Sequence, residues 1–534
     1  MENTWRELRA AWPEQRVYWL SLAAVLCLGL FQRLNGFINH QSSFWLDEAL
    51  WAPRFLTWSF SELNIRPIGF VWLTRKIVEM FGAWEVCFRL IPHLAGLASL
   101  ALMPYVAARL LRSRVLRVVL VFLFAVHPAL VDLSKEFKPY SFEVFLHLLT
   151  VAVFLRYQQT QRRAWLFGLL AFLPVGFLLG YNMAFAFPSL LLLVLVTGLR
   201  SRSKELVLAA VLSGVVCAGV VYELNSHALH KVNDAGKAEN YWGRKYDVFY
   251  QAESGQGRVR WTLTKTADLL AITGLVRDLW STNEHLAPGV GEKLAAVDRW
   301  LWIGLGVLGL AALLPKRREQ ALLLGGPLLV LVAVNALGKW PLGEFRTNLF
   351  ACAYLMPLPL LALEAMAGWL RGNVQLALLG LLVADAAGGF VITFDAHGHK
   401  RCWAKDGYSR EVLQTLIDFR KLELAHKPSS RSARPARLVL DLFSHKPLDF
   451  YLGYHPTYSQ YQDFFRENFR IDRVASTRLI DVSAQRLRGA GMVYAVASKG
   501  RSAAELTAYA AANPSVVVRQ KRIDDNVLIV VLDR

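Results

Sequence analysis

The fold class of this chain is decided by residues 94–131, which read LAGLASLALMPYVAARLLRSRVLRVVLVFLFAVHPALV. Two long apolar runs are separated here by a short basic segment that contains Arg112 and Arg114. A helix needs about 20 apolar residues to cross the hydrocarbon core of a bilayer. The pattern therefore predicts two membrane-spanning helices that are joined by a basic loop.

Similar apolar runs recur along the chain and predict about eleven spans. They lie at 17–35, 86–111, 115–131, 141–157, 164–180, 184–199, 204–222, 298–315, 320–337, 347–369 and 373–393. The composition agrees, because 54% of the 534 residues are hydrophobic. The mean hydropathy is +0.32. We predict a multi-spanning α-helical membrane protein, in which the first run is a retained anchor because no small-residue cleavage site follows it.

The basic residues between the spans predict the orientation, because short cytoplasmic loops are enriched in lysine and arginine. Alternate loops carry such residues, namely Arg112 and Arg114, Arg162 and Arg163, Arg200, Arg202 and Lys204, Lys316 to Arg318, and Arg371. These loops are expected in the cytoplasm together with the amino terminus. The other face, called the outer face below, receives residues 36–85, 132–140, 223–297, 338–346 and everything after residue 394.

The outer segments divide into a membrane-associated part and a separate domain. Residues 45–82 contain two interfacial helical patterns, at 45–58 and 68–81, which are rich in Trp and Phe and too polar to span. After residue 395 the apolar runs shorten to strand length, at 437–443, 492–497, 516–518 and 527–532, with a helical pattern at 503–512. We predict a transmembrane domain at 1–395, with an outer loop at 223–297, and a soluble α/β domain at 396–534.

The formal charge of +19 does not indicate nucleic-acid binding. The basic residues lie in short clusters between apolar runs rather than in one stripe, so membrane topology and anionic lipids account for most of them. The sequence therefore predicts membrane lipids as partners and no nucleic acid.

Two adjacent carboxylates, Asp47 and Glu48, lie at the start of the first outer helical pattern. Acidic residues suit a helix amino terminus, so a purely structural role is one interpretation. A carboxylate held near lipid and aromatic rings has a raised proton affinity and can accept a proton from a hydroxyl. Both residues are therefore catalytic candidates.

A second polar segment is the turn Ser134-Lys135-Glu136-Phe137-Lys138-Pro139-Tyr140, between two apolar runs. Short outer turns usually lack lysine, so Lys135 and Lys138 run against the topological bias. A phosphate group is the candidate anion that offsets them, with Glu136 as a further carboxylate or metal ligand and Tyr140 as support. Alternatively, the two lysines extend to lipid headgroups.

A third outer turn, Lys339-Trp340-Pro341-Leu342-Gly343-Glu344-Phe345-Arg346, is also basic. Arg346 can donate two parallel hydrogen bonds to phosphate oxygens, and Lys339 adds a second cation. A surface ion pair between Glu344 and Arg346 is the structural alternative.

These turns, in this order, resemble those of the C-type membrane glycosyltransferases, which include protein O-mannosyltransferases and the aminoarabinose transferase that acts on lipid A. The resemblance covers roughly residues 15–395. It is carried by Leu46 to Ala49, by Phe81 to Glu85 with Phe88 to Pro92, and by the Ser134-to-Tyr140 turn. Residues 447–452 also resemble the outer domain that many bacterial members carry.

The resemblance implies a polyprenyl phosphate sugar donor, the C-type fold, and Asp47 as the base. It also implies a bacterial inner membrane and a glycolipid, lipopolysaccharide, polysaccharide or protein acceptor. Lys138-Pro139-Tyr140 replaces the usual Arg-Pro-Tyr, and Ile65-Arg66-Pro67 replaces His-Pro-Pro. Phosphate recognition is therefore expected to shift toward Arg66 and Arg346, because lysine lacks the planar fork of arginine. Arg89, in the second matching segment, is expected to support the site.

The sequence leaves open whether a divalent ion is bound, for which Asp47 and Glu136 are the candidate ligands. It also leaves a second function class open. A lipid or sugar-lipid transporter would use the outer charges as a headgroup-binding vestibule, without breaking a bond. Such a protein is expected to carry functional polar residues deep in several spans, where Asp385 and Asn335 are the ones that stand out.

Overall fold

The structure is a computed structural model, and it describes most of the chain. The described residues are 2–35, 37, 44, 46–59, 62, 66–224, 247, 249–250, 257–273, 290–343, 346–367, 372–394, 409–426, 435–475, 478–490, 492–497, 500–524 and 527–533. Two predicted features lie outside them, namely most of the outer loop at 223–297 and Glu344.

The part of the chain before residue 427 is helical wherever it has regular structure among the described residues. Its helices are α1 (Glu2–Leu34), α2 (Leu46–Thr57), α3 (Ile68–Phe81), α4 (Glu85–Leu110), α5 (Arg114–Val126), α6 (Pro128–Asp132), α7 (Tyr140–Thr160), α8 (Ala164–Leu179), α9 (Phe187–Arg200), α10 (Lys204–Leu224), α11 (Arg258–Leu270), α12 (Val290–Leu313), α13 (Arg318–Ala336), α14 (Cys352–Leu355), α15 (Pro357–Met366), α16 (Gly372–Phe394) and α17 (Ser409–His426). Short 3-10 helices lie at Tyr181–Phe185, Ala271–Thr273 and Arg346–Ala351.

Each predicted span coincides with one of these helices or with a broken run of them. Among the described residues, seven segments are long and apolar enough to cross a membrane: Gln15–Leu34, Glu85–Leu110, Tyr140–Thr160, Lys204–Leu224, Ala296–Leu313, Arg318–Ala336 and Arg346–Met366. Shorter apolar helices lie at Ala164–Leu179, Phe187–Arg200 and Gly372–Gly388. The multi-spanning helical class is thus confirmed, while the number of about eleven spans stays a prediction.

Two of the predicted spans are irregular rather than continuous, and proline explains the first. The span at 115–131 is divided into α5 and α6 at His127, which has an extended backbone and precedes Pro128. The span at 347–369 begins as a 3-10 helix and continues through α14 before α15 begins at Pro357, and Met356 keeps helical backbone angles before this proline. A proline cannot donate the helical hydrogen bond and disfavours the helical conformation of the residue before it.

The chain forms two compact units, and neither is a continuous stretch of sequence. The first unit contains Met1–Asn35, Ser59–Leu73 and Arg89–Ala404. The second unit contains Gly36–Trp58, Thr74–Phe88 and Lys405–Arg534. The carboxyl-terminal domain therefore packs with α2 and with the segment that begins α4, whereas the predicted boundary at residue 395 stays a prediction.

The first unit has one apolar core that runs through its membrane helices. Core side chains come from α1 through to α16, from Leu22 to Ala386. Small residues permit close helix approaches, as at Gly29, where an added Cβ would lie 2.9 Å from the Cβ of Ala125. Such small-residue contacts are a common means of packing helices in lipid, where apolar burial itself gives little driving force.

The second unit contains a five-stranded mixed sheet in the order β2-β1-β3-β5-β4. Its strands are β1 (Ala436–Asp441), β2 (Phe469–Val474), β3 (Met492–Ala497), β4 (Val517–Asp524) and β5 (Val527–Asp533). Its helices are α18 (Leu442–Gly453), α19 (Gln462–Asn468), α20 (Leu479–Ala490) and α21 (Gly500–Ala512), with a 3-10 turn at Ser459–Tyr461. The predicted α/β domain is confirmed.

The sheet shows why some strands were predicted and one was not. β3 and β5 are central and buried, so they read as continuous apolar runs. β2 is an edge strand with the sequence FRIDRV, and five of its six residues, all except Phe469, are wholly or partly exposed. Charged side chains are typical of an edge strand, and a strand that contains them does not form the apolar run by which strands are predicted.

Candidate functional site

In the first unit, the turn between α6 and α7 buries most of the charges that the sequence singled out. Glu136 is 5% exposed and Lys138 is 2% exposed, whereas Lys135 is half-buried. The backbone N–H of Lys138 donates to the Glu136 carbonyl over 2.8 Å, which holds the two residues in a tight turn. Because the Lys138 side chain is buried within the protein, it does not extend to lipid headgroups, as the alternative interpretation required.

Close packing against α3, α4 and α6 fixes the turn at residues 134–140. Phe137 is buried and stacks on Phe70 of α3, with 6.1 Å between ring centroids. A Cβ at Gly96 of α4 would lie 2.6 Å from the Ser134 Cβ, so only glycine fits there. The Ser134 hydroxyl donates to the Val131 carbonyl over 2.5 Å. The predicted phosphate-binding turn is therefore a rigid element rather than a loose loop.

A buried carboxylate on α7, Glu143, is the main residue that the sequence analysis missed. Its side chain accepts a hydrogen bond from Asn182 Nδ2 over 2.8 Å and is attracted electrostatically by the Arg66 guanidinium. Gly180 lies against it, since an added Cβ would come within 2.9 Å of the Glu143 Cγ. An ionisable side chain at the end of an apolar helix is a functional-site signal, and it could have been read from the sequence.

Asn182 also links this carboxylate to the third outer turn. Its Nδ2 donates to the Thr347 carbonyl over 2.9 Å, one residue from Arg346. The Arg346 guanidinium lies over the Tyr140 ring, 6.0 Å from its centroid. This is the geometry of a cation–π interaction. The first unit thus joins Arg66, Tyr140 and Arg346 through contacts that include Glu143 and Asn182.

The third turn itself is held by a buried asparagine. Asn348 accepts from Trp340 Nε1 over 3.1 Å and donates to the carbonyls of Pro341 and Gly343 over 3.2 and 3.0 Å. Gly343 has a φ of 106°, which an L side chain rarely adopts. Lys339, in contrast, is exposed. The ion pair considered between Glu344 and Arg346 lies outside the described residues.

In the second unit, Asp47 and Glu48 lie in the first turn of α2. Asp47 is half-buried, whereas Glu48 is completely buried. Two carboxylates in a first turn are stabilised by the positive end of the helix dipole. Asp47 is therefore the more exposed of the two carboxylates.

Both ends of α2 are held by residues of the second unit. At its start, the Phe44 N–H donates to the Tyr451 hydroxyl over 2.9 Å. At its end, the Arg75 guanidinium donates to the carbonyls of Phe55 and Trp58. A cation at the carboxyl terminus satisfies free carbonyls and suits the helix dipole. The acidic helix is therefore fixed in position at both termini.

The remaining predicted residues are distributed as follows. Arg89 of α4 is buried, at 7% exposed, in the first unit. Among the described residues, no group of three or more His, Cys, Asp or Glu side chains could hold a metal ion. Glu136 belongs to the first unit and Asp47 to the second. Metal ligation by these two residues stays a prediction.

One known family matches a segment that lies mostly in the first unit. Residues 65–224 match the family model described as dolichyl-phosphate-mannose-protein mannosyltransferase. This match confirms the prediction of a membrane glycosyltransferase. The matched segment contains Arg66, Arg89, the Ser134-to-Tyr140 turn and Glu143, whereas Asp47 and Arg346 lie outside it.

Similar solved structures include ArnT from Cupriavidus metallidurans. Its apo form is 15% identical with a TM-score of 0.45, and the match covers 98% of each chain. Its undecaprenyl phosphate-bound form is 15% identical with a TM-score of 0.47, covering 96% of this chain and 97% of that one. The oligosaccharyltransferase of Archaeoglobus fulgidus is 13% identical with a TM-score of 0.43, covering 91% of this chain and 70% of that one.

No curated protein sequence matches the chain significantly. All three TM-scores are below 0.5.

Proposed function

We propose that the chain transfers a sugar from a polyprenyl monophosphate donor to an acceptor hydroxyl, with inversion at the anomeric carbon. The observation that carries this proposal is the cationic cluster of the first unit. It comprises Lys138, which is buried, Arg66, which is half-buried and attracts Glu143, and Arg346, which lies over the ring of Tyr140. Cations held in place are what a departing phosphate requires, since they stabilise charge as it develops.

The proposed reaction needs a base more than an acid. A lipid phosphate already departs as a stable anion, unlike the alkoxide that leaves a glycosidase site and must be protonated. The acceptor oxygen forms a new bond to the anomeric carbon as the carbon–phosphate oxygen bond breaks, and the acceptor proton goes to a carboxylate. Asp47 is proposed as this base, because it is the accessible member of the acidic pair.

The other residues are proposed to have supporting roles. Lys135, Lys138, Arg66 and Arg346 hold the donor phosphate, and the exposed Lys339 adds to the positive potential around it. Glu48 and Arg89 support the arrangement from buried positions, with Tyr140 beneath Arg346. Glu136 orients the acceptor or a divalent ion, and a chelator assay would decide between these two roles.

The location of the reaction is proposed from the distribution of basic loops. We place the three outer turns and the carboxyl-terminal domain on the periplasmic face of a bacterial inner membrane, with the amino terminus in the cytoplasm. The acceptor is proposed to be a glycolipid, lipopolysaccharide, polysaccharide or protein hydroxyl on that face.

The test is donor consumption by the purified protein. Wild-type protein is reconstituted in lipid and given a panel of radiolabelled polyprenyl phosphate sugars together with an envelope extract as the acceptor source. We expect acceptor-dependent release of polyprenyl phosphate with at least one donor.

A folded wild-type protein that consumes no donor would contradict the proposal. If intact donor instead crosses the vesicle bilayer, the chain is a sugar-lipid transporter.

A further inference from the structure

A buried polar network in the second unit connects the carboxyl-terminal domain with the start of the acidic helix. Its centre is Glu85, the first residue of α4, which is 1% exposed. Tyr451 of α18 donates its hydroxyl proton to Glu85 Oε1 over 2.8 Å. The same hydroxyl accepts the Phe44 N–H, so one oxygen atom joins Glu85 to the segment that leads into α2.

Two more residues of the carboxyl-terminal domain hold Glu85. Arg410 Nε lies 3.3 Å from Oε1, and His455 Nε2 lies 3.1 Å from Oε2. The Thr457 N–H donates to His455 Nδ1, and the other ring nitrogen, Nε2, faces Glu85. A buried carboxylate is costly unless it is paired and hydrogen-bonded, and here three side chains satisfy it.

The geometry leaves the Tyr451 hydroxyl little freedom. Burial and the neighbouring Glu85 carboxylate raise the pKa of Tyr451 well above its ordinary value, so the hydroxyl stays neutral and keeps its proton for donation. Its single proton points to Glu85, which leaves a lone pair for the Phe44 N–H. The direction of the Phe44 peptide is therefore determined by the Glu85–Tyr451 pair.

Aromatic packing reinforces this hydrogen bond. The Phe44 ring contacts Phe450 and Phe88, with centroid distances of 4.8 and 5.5 Å, and Phe450 and Phe88 are 5.9 Å apart. Phe44, Phe88 and Phe450 are all completely buried. Phe44 precedes Asp47 by three residues, which limits their separation to about 10 Å.

We propose that Tyr451 is a positioning residue for Asp47: through Phe44 it sets where α2 begins, and so makes the carboxyl-terminal domain part of the catalytic apparatus. The inference rests on the proposed function, in which Asp47 is the base. It also explains why a buried carboxylate, histidine and tyrosine meet a half-buried arginine at this place in the domain.

The chain offers a matched control for a test of Tyr451. Tyr494 of β3 is also completely buried and also donates its hydroxyl to a carboxylate, Glu423 Oε2, over 2.7 Å. Burial raises the pKa of Tyr494 as well. Tyr494 lies in the sheet, and neither it nor Glu423 bonds to Phe44 in the described contacts. Tyr451→Phe and Tyr494→Phe therefore remove equivalent groups with different connections.

The first measurement is donor turnover by full-length wild type, Tyr451→Phe and Tyr494→Phe. We expect Tyr451→Phe to lower kcat on the order of tenfold to a hundredfold, because small displacements of a reacting group have effects of that size. The KM for the donor should change by less than about twofold, since the phosphate-binding residues are intact. Tyr494→Phe should keep the wild-type kcat.

The second measurement does not depend on donor turnover. Hydrogen–deuterium exchange of peptides that cover residues 44–57 should become faster in Tyr451→Phe and stay unchanged in Tyr494→Phe. Three results would each overturn the inference. One is a normal kcat in Tyr451→Phe when the wild type consumes donor, and another is an equal loss of kcat in both variants. The third is an unchanged exchange rate of residues 44–57 in Tyr451→Phe. If the wild-type protein consumes no donor, the proposed function is contradicted instead. In that case, unchanged exchange of residues 44–57 in Tyr451→Phe would still refute the link between Tyr451 and α2.

Discussion

The acidic helix α2 and the basic turn at residues 134–140 are held in place in different ways. The turn lies between two consecutive helices, and its support comes from Phe70 of α3 and Gly96 of α4. The start of α2 depends on Tyr451, which lies 407 residues beyond Phe44. The comparison teaches that the basic turn can form with the helix bundle, whereas α2 requires a folded carboxyl-terminal domain.

The two regions also differ in burial, which separates their proposed roles. In the turn, Glu136 and Lys138 are almost completely buried, so a substitution there disturbs a packed element. In α2, the outer member of the pair, Asp47, stays accessible while Glu48 is buried. An accessible carboxylate suits proton transfer, and rigid buried cations suit electrostatic stabilisation. The predictions below test this division of roles.

The largest effect is expected from Asp47→Asn. The amide has nearly the same shape but cannot accept the acceptor proton, so kcat should fall by about 10²–10⁴-fold. The fall is measured as release of polyprenyl phosphate from a radiolabelled donor. Equal turnover by wild type and Asp47→Asn would refute the assignment of the base.

The next largest effect is expected from Lys138→Met, which removes the buried charge of the turn and keeps a long side chain. Loss of one preorganised group that stabilises developing charge should lower kcat/KM on the order of 10²-fold. The matched control is Lys339→Met, at an exposed position, which should change kcat/KM by less than about twofold. Similar losses of kcat/KM in both variants would mean that burial does not distinguish the roles of the two lysines. A thermal unfolding experiment on each variant checks that it is folded.

A smaller effect is expected from Arg346→Lys. Lysine keeps the charge but loses the planar fork and its stacking on Tyr140. Loss of one charged hydrogen bond corresponds to about tenfold in kcat/KM, most of it in the KM for the donor. Kinetics with a donor and with its phosphonate analogue measure this change. An unchanged KM would argue that Arg346 does not contact the phosphate.

The smallest effect, one on stability, is expected from Asn182→Leu. It leaves Glu143 and the Thr347 carbonyl without the Nδ2 donor, which should lower the free energy of unfolding by about 1–3 kcal/mol. Thermal unfolding in detergent measures the change. Thr197→Val is the matched control, since its hydroxyl donates only to the Leu193 carbonyl within α9. If the control loses as much stability, Asn182 has no special linking role.

Much of the fold could be predicted because membrane helices and buried strands consist of continuous runs of apolar residues. Residues 492–497 were predicted as a strand and form β3 at that position. The breaks at Pro128 and Pro357 were not predicted, since the apolar runs continue across them. The sequence does not predict α18, which contains Pro447, a residue that disfavours a helix interior.

The site could be predicted only where its residues stand out in short polar segments. Lys135 and Lys138 were found because lysine is unexpected in a short outer turn. Glu85 and Tyr451 could not be paired from sequence, since they are 366 residues apart and each looks ordinary in its own surroundings. Glu143 was overlooked because a single acidic residue at the start of a helix resembles a normal first-turn charge.

Equilibrium binding of a radiolabelled polyprenyl phosphate sugar to two variants tests the central claim most directly. The division of roles predicts that Asp47→Asn binds the donor within about twofold of wild type while having lost turnover, because the base acts only in the transition state. Lys138→Met should bind it at least about tenfold more weakly. Weak binding by Asp47→Asn together with wild-type binding by Lys138→Met would contradict the account.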